Sequence, residues 1–312
     1  MRRLDLKVGF SCNSLCRHCV QGEKRYTKGD KPSEQVISEI EEARTRGISE
    51  IVFTGGEPTV REELVTWISH AKDIGYKYIQ VQTNGRRFAS KTFTKKMVEA
   101  GMNEFSPALN GHIPKLHDFL IRAPGAFKQL IAGLKNVKEY SDISIITNTV
   151  VTKPNYRYLN KIASLLVGYG ADQYQLAFVH PAGRSWTNFD SIVPYISLAA
   201  PHIHRGLQVG LDNGMMVMAE AMPYCHMKGY EKYVSELHMP PADVYESDMK
   251  VQNWEEWRKN EGKWKGEACK LCAFFDVCEG PWIEYVQKRG KSEFVPVSGK
   301  KVSFGDLKLP RN

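Results

Sequence analysis

The spacing of apolar and polar positions changes repeatedly along the first 180 residues of this 312-residue chain. Leu4–Phe10 reads as a strand, and Ser33–Arg46 then sets Val36, Ile37, Ile40 and Ala43 at helical spacing. Gly47 ends that helix, and Ile51–Thr54 reads as a short buried strand. The alternation continues through helix Glu62–Lys72, strand Tyr78–Gln82, helix Lys91–Ala100 and strand Glu104–Leu109. Helix Phe127–Tyr140, strand Ile143–Val151, helix Tyr156–Val167 and strand Gln173–Phe178 complete it. Six strands with helices between them predict an α/β fold with a parallel sheet and right-handed crossovers. Two architectures satisfy this pattern, an open doubly wound sheet and a partial (βα)6 barrel. Both put the loops available for chemistry at the C-terminal ends of the strands.

The rhythm breaks after about residue 186. A helix near Ile192–Ala199 is expected to give way to short strands around Leu207–Leu211 and Met215–Met218. From Tyr224 onward the chain is rich in Cys, Trp, Pro and Gly. This predicts a first domain over residues 1–200 and a smaller C-terminal extension with a tail over 201–312.

Composition excludes some classes of protein. Hydrophobic residues make up 42% and charged residues 25%, values that rule out disordered and collagen-like chains. No apolar run approaches the roughly 20 residues that span a bilayer. The stretch Ser191–Ile203 is interrupted by Pro194 and Pro201, and Asp5 and Lys7 follow Arg2 and Arg3 too closely for a signal peptide. The expectation is therefore a cytoplasmic protein with no membrane partner. The net charge of +8 suits phosphorylated substrates, acidic peptides, nucleic acid or an acidic electron donor, or simply a soluble surface. The cations are scattered apart from small groups such as Lys288, Arg289 and Lys291, so no stripe supports nucleic-acid binding.

Seven cysteines is an odd number, and in a reducing compartment they read as metal ligands, nucleophiles or buried hydrophobes. Cys12, Cys16 and Cys19 lie in the loop after the first strand. Three local thiolates on a four-iron cluster would leave one iron open to an external ligand. A zinc site and chance burial are the alternatives, although zinc takes four ligands. After the second strand comes Thr54-Gly55-Gly56-Glu57-Pro58, where paired glycines permit close backbone approach and a carboxylate suits an ammonium group. A plain Gly-Gly turn gives the same string. Thr83-Asn84-Gly85 after the third strand also fits an ordinary turn. Asn148 is a polar residue inside an apolar strand and needs a partner.

Together these motifs resemble the radical S-adenosylmethionine (SAM) superfamily. Cx3Cx2C after the first strand of a (βα)6 series is similar to its signature, with His18 in the usually aromatic position. The resemblance implies a 4Fe-4S cluster on Cys12, Cys16 and Cys19 that binds SAM, in a partial (βα)6 barrel of parallel strands. It assigns Gly55, Gly56, Glu57 and Pro58 to the SAM amino group. Thr83 and Asn84 fall near the SAM ribose, and Asn148 near the ribose and carboxylate. Asn110 follows the fourth strand, where Ala108 and Asn110 depart from the Ser-Leu-Asp-Gly of many relatives. His180 and Arg184, in the loop after the sixth strand, are catalytic candidates that a surface turn also explains.

Cys269, Cys272 and Cys278 form a compact set that folding would join with Cys225. With Cys278-Glu-Gly-Pro-Trp282, this resembles the auxiliary-cluster extension called Twitch or, in its longer form, SPASM. Four cysteines suffice for one auxiliary 4Fe-4S cluster, and an all-cysteine zinc site is the alternative. The family's chemistry requires a one-electron donor such as flavodoxin or ferredoxin. Reductive cleavage of SAM then gives a 5′-deoxyadenosyl radical that takes hydrogen from the substrate. A second cluster suits electron transfer or substrate binding, and the outcome is an oxidoreductase reaction or a bond-forming one. The chain starts almost at the first strand and ends Leu309-Pro310-Arg311-Asn312, without the Gly-Gly tail of the molybdenum-cofactor GTP cyclase. The start leaves no room for a leader-peptide-binding domain, so a small or phosphorylated metabolite is expected as substrate, with a ribosomally made peptide as the alternative. A zinc-stabilised nucleic-acid-binding protein is the reading from another class.

Overall fold

A computed structural model describes residues 2–247 and 249–309. The terminal Pro310, Arg311 and Asn312 of the tail comparison lie outside the described residues. Six parallel strands follow one another in space as they do in sequence: β1 (Arg3–Lys7), β2 (Glu50–Thr54), β3 (Tyr78–Thr83), β4 (Glu104–Pro107), β5 (Ser144–Val151) and β6 (Gln173–Phe178). A doubly wound sheet reverses its strand order at a switch point. Here the order runs from β1 to β6 without reversal, so right-handed crossovers leave every connecting helix on one face. The fold is the partial barrel.

Alternation along each strand creates its two faces. Leu4 and Leu6 of β1, Ile51 and Phe53 of β2, and Ile79 and Val81 of β3 pack with Val36, Ile40, Trp67 and Ile68 of the helices Ser33–Thr45 and Leu64–Asp73. The opposite face is polar. Near its floor Arg3 pairs with Glu50 at 3.0 Å, and Gln80 donates to Glu104 at 2.9 Å. Higher up, Asn148 of β5 stands in register with Gln175 of β6. Along β5 the outward residues Ile145, Thr147, Thr149 and Val151 are buried, whereas Ile146, Asn148 and Val150 keep some exposure. The inner face therefore borders an open lumen.

Three features depart from the sequence reading. Leu207–Leu211 is not a strand but the end of a helix, Ile196–Leu211. Ile203, Leu207 and Gly210 fall at i, i+4 and i+7 on its buried face, which is a helical spacing. Residue 200 thus lies within that helix, and β7 (Met216–Glu220) extends the same sheet beside β6. Third, β8 (Ala242–Tyr245) returns to pair in parallel with β1, and β9 (Lys250–Val251) adds an antiparallel strand beyond it. This return is locked by charge. Asp243 receives Arg2 at 2.7 Å as well as Arg46, and the buried Lys31 pairs with Glu39 at 2.5 Å while reaching the Tyr245 carbonyl. Among the described residues no helix is long and apolar enough to cross a membrane.

Candidate active site

The loop after β1 carries Cys12, Cys16 and Cys19, and it is gripped from four sides. Beneath it, Gly56 and Glu57 donate backbone N–H groups to the Gly9 and Ser11 carbonyls, both at 2.8 Å. Only glycine fits here: a Cβ on Gly55 would stand 2.3 Å from the Gly9 oxygen, and one on Gly56 2.3 Å from that of Ser11. Gly55 also has φ +125°, a region closed to most side chains. From β3, Asn84 donates to Asn13 at 2.7 Å, and Arg86 reaches the Ser14 hydroxyl at 3.2 Å. From the β6 loop, the Arg184 N–H bonds the Cys19 carbonyl at 2.9 Å, and the Ser185 hydroxyl bonds that of His18 at 2.9 Å.

The fourth side is a helix that sequence reading missed, Pro114–Ile121. The Leu15 and Arg17 N–H groups bond its last carbonyls, at 3.1 Å to Ile121 and 2.8 Å to Leu120. Cys16 packs on Ile121, Ala123 and Ala126. Pro114 at the first turn, with Leu120 and His117 buried, was the available signal.

The Glu57 side chain is held from within the protein. Its carboxylate is buried and already accepts four hydrogen bonds: from the Thr59 hydroxyl (2.6 Å), the Thr59 N–H (3.1 Å), the Thr83 hydroxyl (2.6 Å) and the Asn84 N–H (2.6 Å). Three of these reach Oε1 and one, from the Asn84 N–H, reaches Oε2, so the carboxylate keeps room on Oε2 for a further donor. Its work is to tie the β2 and β3 loops together. Pro58 opens the buried 3-10 turn that presents Thr59 to it. Burial holds the Glu57 carboxyl above its ordinary range despite those donors.

Elsewhere polar atoms are left without partners. The Asn148 Oδ1 is buried and accepts nothing, although the Asn148 backbone carbonyl receives the Leu109 N–H at 3.0 Å. Asn110 uses its Oδ1 to accept the Val150 N–H at 2.8 Å, which fixes the amide's orientation and leaves its Nδ2 unpaired. Buried polar groups are nearly always paired, so both amides call for ligand or water. The His18 Nδ1 is unpartnered too, and burial with the neighbouring His117 pulls that ring's pKa down to about 4.

Burial and neighbouring charges set the state of the three thiols. Burial first, and then the Glu57 carboxylate, push Cys12 up to about 11, while burial raises Cys16 and Cys19 as well. Arg25 opposes the rise at all three, from a short helical turn where its guanidinium donates to the Ser14 carbonyl at 2.9 Å. A bound metal centre would supply the positive charge that makes these thiols thiolates. The donor set, the glycine cradle and the unpaired amides fit an iron–sulfur cluster with a polar organic ligand.

A second cysteine group lines one apolar cavity. Cys225, Cys269, Cys272 and Cys278 meet there with Tyr224 and Trp264. Burial is the largest cause that pushes Cys225 up to about 12, and neighbouring Cys278 and Cys272 add to it. All seven cysteines are free. Among the described residues no three His, Cys, Asp or Glu side chains draw close enough to grip a single metal ion. A multi-iron cluster binds each thiolate at a separate iron and so spreads its ligands.

Between the two groups the β6 and β7 ends meet the extension. His180 stacks on Trp282 with ring centres 3.8 Å apart and contacts Glu284 at 3.3 Å. The buried Lys263 ammonium lies 3.8 Å from the same indole and 3.6 Å from Glu236. Glu220, at the end of β7, accepts from Gln175, and burial with Glu236 beside it pushes its carboxyl up to about 7. Sequence reading named His180 here and missed Lys263, Glu220 and Glu284. The Arg184 side chain lies against the cysteine loop at Gly22, and its guanidinium donates to the Tyr26 hydroxyl at 3.3 Å.

Comparison with known proteins agrees with this geometry. The family profile described as "Radical SAM superfamily" matches residues 6–166. An AdoMet-dependent heme synthase of Oleidesulfovibrio alaskensis is 28% identical over 185 residues, covering 59% of this chain and 47% of the relative. A probable GTP 3′,8-cyclase of Saccharolobus islandicus is 29% identical over 185 residues, covering 57% and 58%. The chain thus spans about half the length of these curated relatives. Streptococcus suis SuiB, solved bound to precursor peptide SuiA, shares the fold with a TM-score of 0.67 at 14% identity, over 97% of this chain and 75% of that one.

Proposed function

The chain belongs to the radical SAM superfamily, and from that premise we propose that Cys12, Cys16 and Cys19 hold its SAM-binding 4Fe-4S cluster at the top of the lumen. The chain is a radical SAM enzyme; its substrate, in our reading, is a small or phosphorylated metabolite. One observation carries the site assignment. The three-cysteine loop is clamped by the β2, β3 and β6 loops around a lumen where the Asn148 Oδ1 is buried without a donor. When bound, the cluster and SAM supply a radical able to remove hydrogen from an unactivated carbon. The protein's own residues orient and enclose. Asn148 accepts a hydrogen bond from the ligand, and Glu57 keeps the Gly55–Gly56 and Thr83–Asn84 backbones in place beneath it. His18 and the helix Pro114–Ile121 close the site's outer wall to water.

Cys225, Cys269, Cys272 and Cys278 hold, in the same proposal, one auxiliary 4Fe-4S cluster of Twitch or SPASM type. Their shared apolar cavity supports this reading. The named activities of the curated relatives, heme synthase and GTP cyclase, favour a small-molecule substrate. A second reading, peptide maturation, draws on the fold shared with peptide-bound SuiB. The test is anaerobic reconstitution with iron, sulfide and zinc analysis, followed by SAM cleavage under reductant from flavodoxin or ferredoxin. About eight irons per chain and 5′-deoxyadenosine are expected under the two-cluster reading. Zinc-loaded, colourless protein that never yields 5′-deoxyadenosine would sink the site assignment. Turnover of a peptide but of no small molecule would favour the second reading.

A further inference from the structure

Two aliphatic side chains are far more exposed than the others in the extension: Leu271 at 80% and Val295 at 67%. Both belong to the rim of the second cysteine cavity. Leu271 directly precedes Cys272, and Val295 and Pro296 line the cavity itself. The two segments are stitched together, with the Ala273 N–H donating to the Val297 carbonyl at 2.7 Å and the Val297 N–H to the Cys272 sulfur at 3.4 Å. Exposed Lys265, Lys270, Lys300 and Lys301 surround this rim. Lys265 and Lys301 lie over the Phe275 ring, at 4.3 and 5.3 Å, and Phe275 is another cavity-lining residue. The acids on the same face are Glu267, paired with Lys270 at 2.8 Å, Asp276, and Asp306 beside Lys300. A small apolar centre with a cationic rim lies directly over four thiols.

We propose that this rim is the docking surface for an acidic one-electron carrier protein that exchanges electrons with the second cysteine site. The proposal rests on the reading that Cys225, Cys269, Cys272 and Cys278 hold an iron–sulfur cluster. Weak redox encounters need little area and owe their speed to complementary charge. The face supplies both conditions: a few exposed carbons to exclude water and a lysine ring to steer an acidic partner. It also brings that partner over the cavity with one layer of side chains between. In the exchange the reduced cluster gives up one electron, and the carrier's oxidised flavin gains it together with a proton from solvent.

The experiment uses the full chain with Cys12, Cys16 and Cys19 replaced by alanine, so that one cluster reacts. The photoreduced protein is mixed anaerobically with oxidised flavodoxin in a stopped-flow instrument. The expected rate is bimolecular and falls steeply as salt is raised. L271E together with K270E should slow it at least tenfold at low salt while iron content stays at four per chain. K95E with K96E, on the barrel helix Lys91–Ala100, should leave it unchanged. Four irons with a wild-type rate in L271E/K270E would overturn the docking proposal alone. Zinc in place of iron at this site would overturn the cluster reading and the proposal with it. A salt-independent rate, or a chain dimer that L271E dissolves, would equally overturn it.

Discussion

The two cysteine groups solve the problem of holding thiols in opposite ways. The first is a single loop of eight residues, Cys12–Cys19, whose position is dictated by a barrel built around it. Backbone bonds reach it from the β2 and β6 loops and from helix Pro114–Ile121, and side-chain bonds from the β3 loop. The second collects its cysteines from positions 225 to 278 in a region of short turns, with β8 and β9 returned to the barrel edge at β1. It depends on side-chain pairing, above all the buried Arg258–Glu279 pair, bonded at 2.9 and 2.8 Å, next to Cys278. Integration into a regular scaffold makes the first site robust. The second rests on a few side-chain pairs and is easier to disturb.

The largest test of that contrast removes the thiols themselves. Replacing Cys12, Cys16 and Cys19 with alanine should abolish 5′-deoxyadenosine formation, measured by chromatography after anaerobic incubation with SAM and dithionite. Replacing Cys269 and Cys272 should leave part of that cleavage, uncoupled from product. Equal loss in both would mean that the two sites are not separable.

Next in size is Glu279→Gln. Breaking one side of a buried ion pair leaves an uncompensated charge and costs about 3–5 kcal/mol. Urea unfolding should show that loss, and iron analysis should show that about four irons depart while the first cluster stays. An unchanged midpoint would mean that the pair does not hold the extension.

The junction between the regions gives a pH-dependent effect. Glu220 has its folded pKa raised from 4.5 to about 7. A raised carboxyl stabilises the folded chain fully below its ordinary pKa, and that contribution is lost as pH climbs through 7. Over the whole window the loss amounts to about 3 kcal/mol at most. Glu220→Gln should therefore gain stability relative to wild type between pH 5 and pH 8, read from denaturation midpoints at both. A constant difference across that range would show that Glu220 is not held protonated.

Sequence alone revealed the first region well and the second poorly, for physical reasons. Strands β1 and β5 are legible because burial alternates along them, β2 because it is a short buried run, and glycines such as Gly47 and Gly101 end the helices. The lumen is less legible: Glu220 and Lys263 are ordinary letters until β7 and the extension bring them together. Helix Pro114–Ile121 hides because His117 occupies a buried position that an apolar residue usually marks. The hydrogen bonds that tie Glu57 to Thr83 and Asn84 span 26 and 27 residues, which spacing cannot anticipate.

The smallest effect should come from single methyl groups. Gly56→Ala would bring a Cβ to 2.3 Å from the Ser11 oxygen and 2.5 Å from that of Phe10, just before Cys12. Gly280→Ala would set one 2.0 Å from the Trp264 oxygen, two residues past Cys278. Both meet backbone, so the loop has to move, at about 1–3 kcal/mol for an overpacked interior. Gly280 also has φ +87°, which adds about 1 kcal/mol for an alanine. If the two regions are independent, each substitution strips iron from its own site alone. Gly56→Ala should weaken SAM binding and spare the second cluster, and Gly280→Ala should do the reverse. Mössbauer or EPR quantification of each cluster distinguishes these outcomes. Loss of both clusters from either substitution would show that the barrel and its extension fold as one cooperative unit.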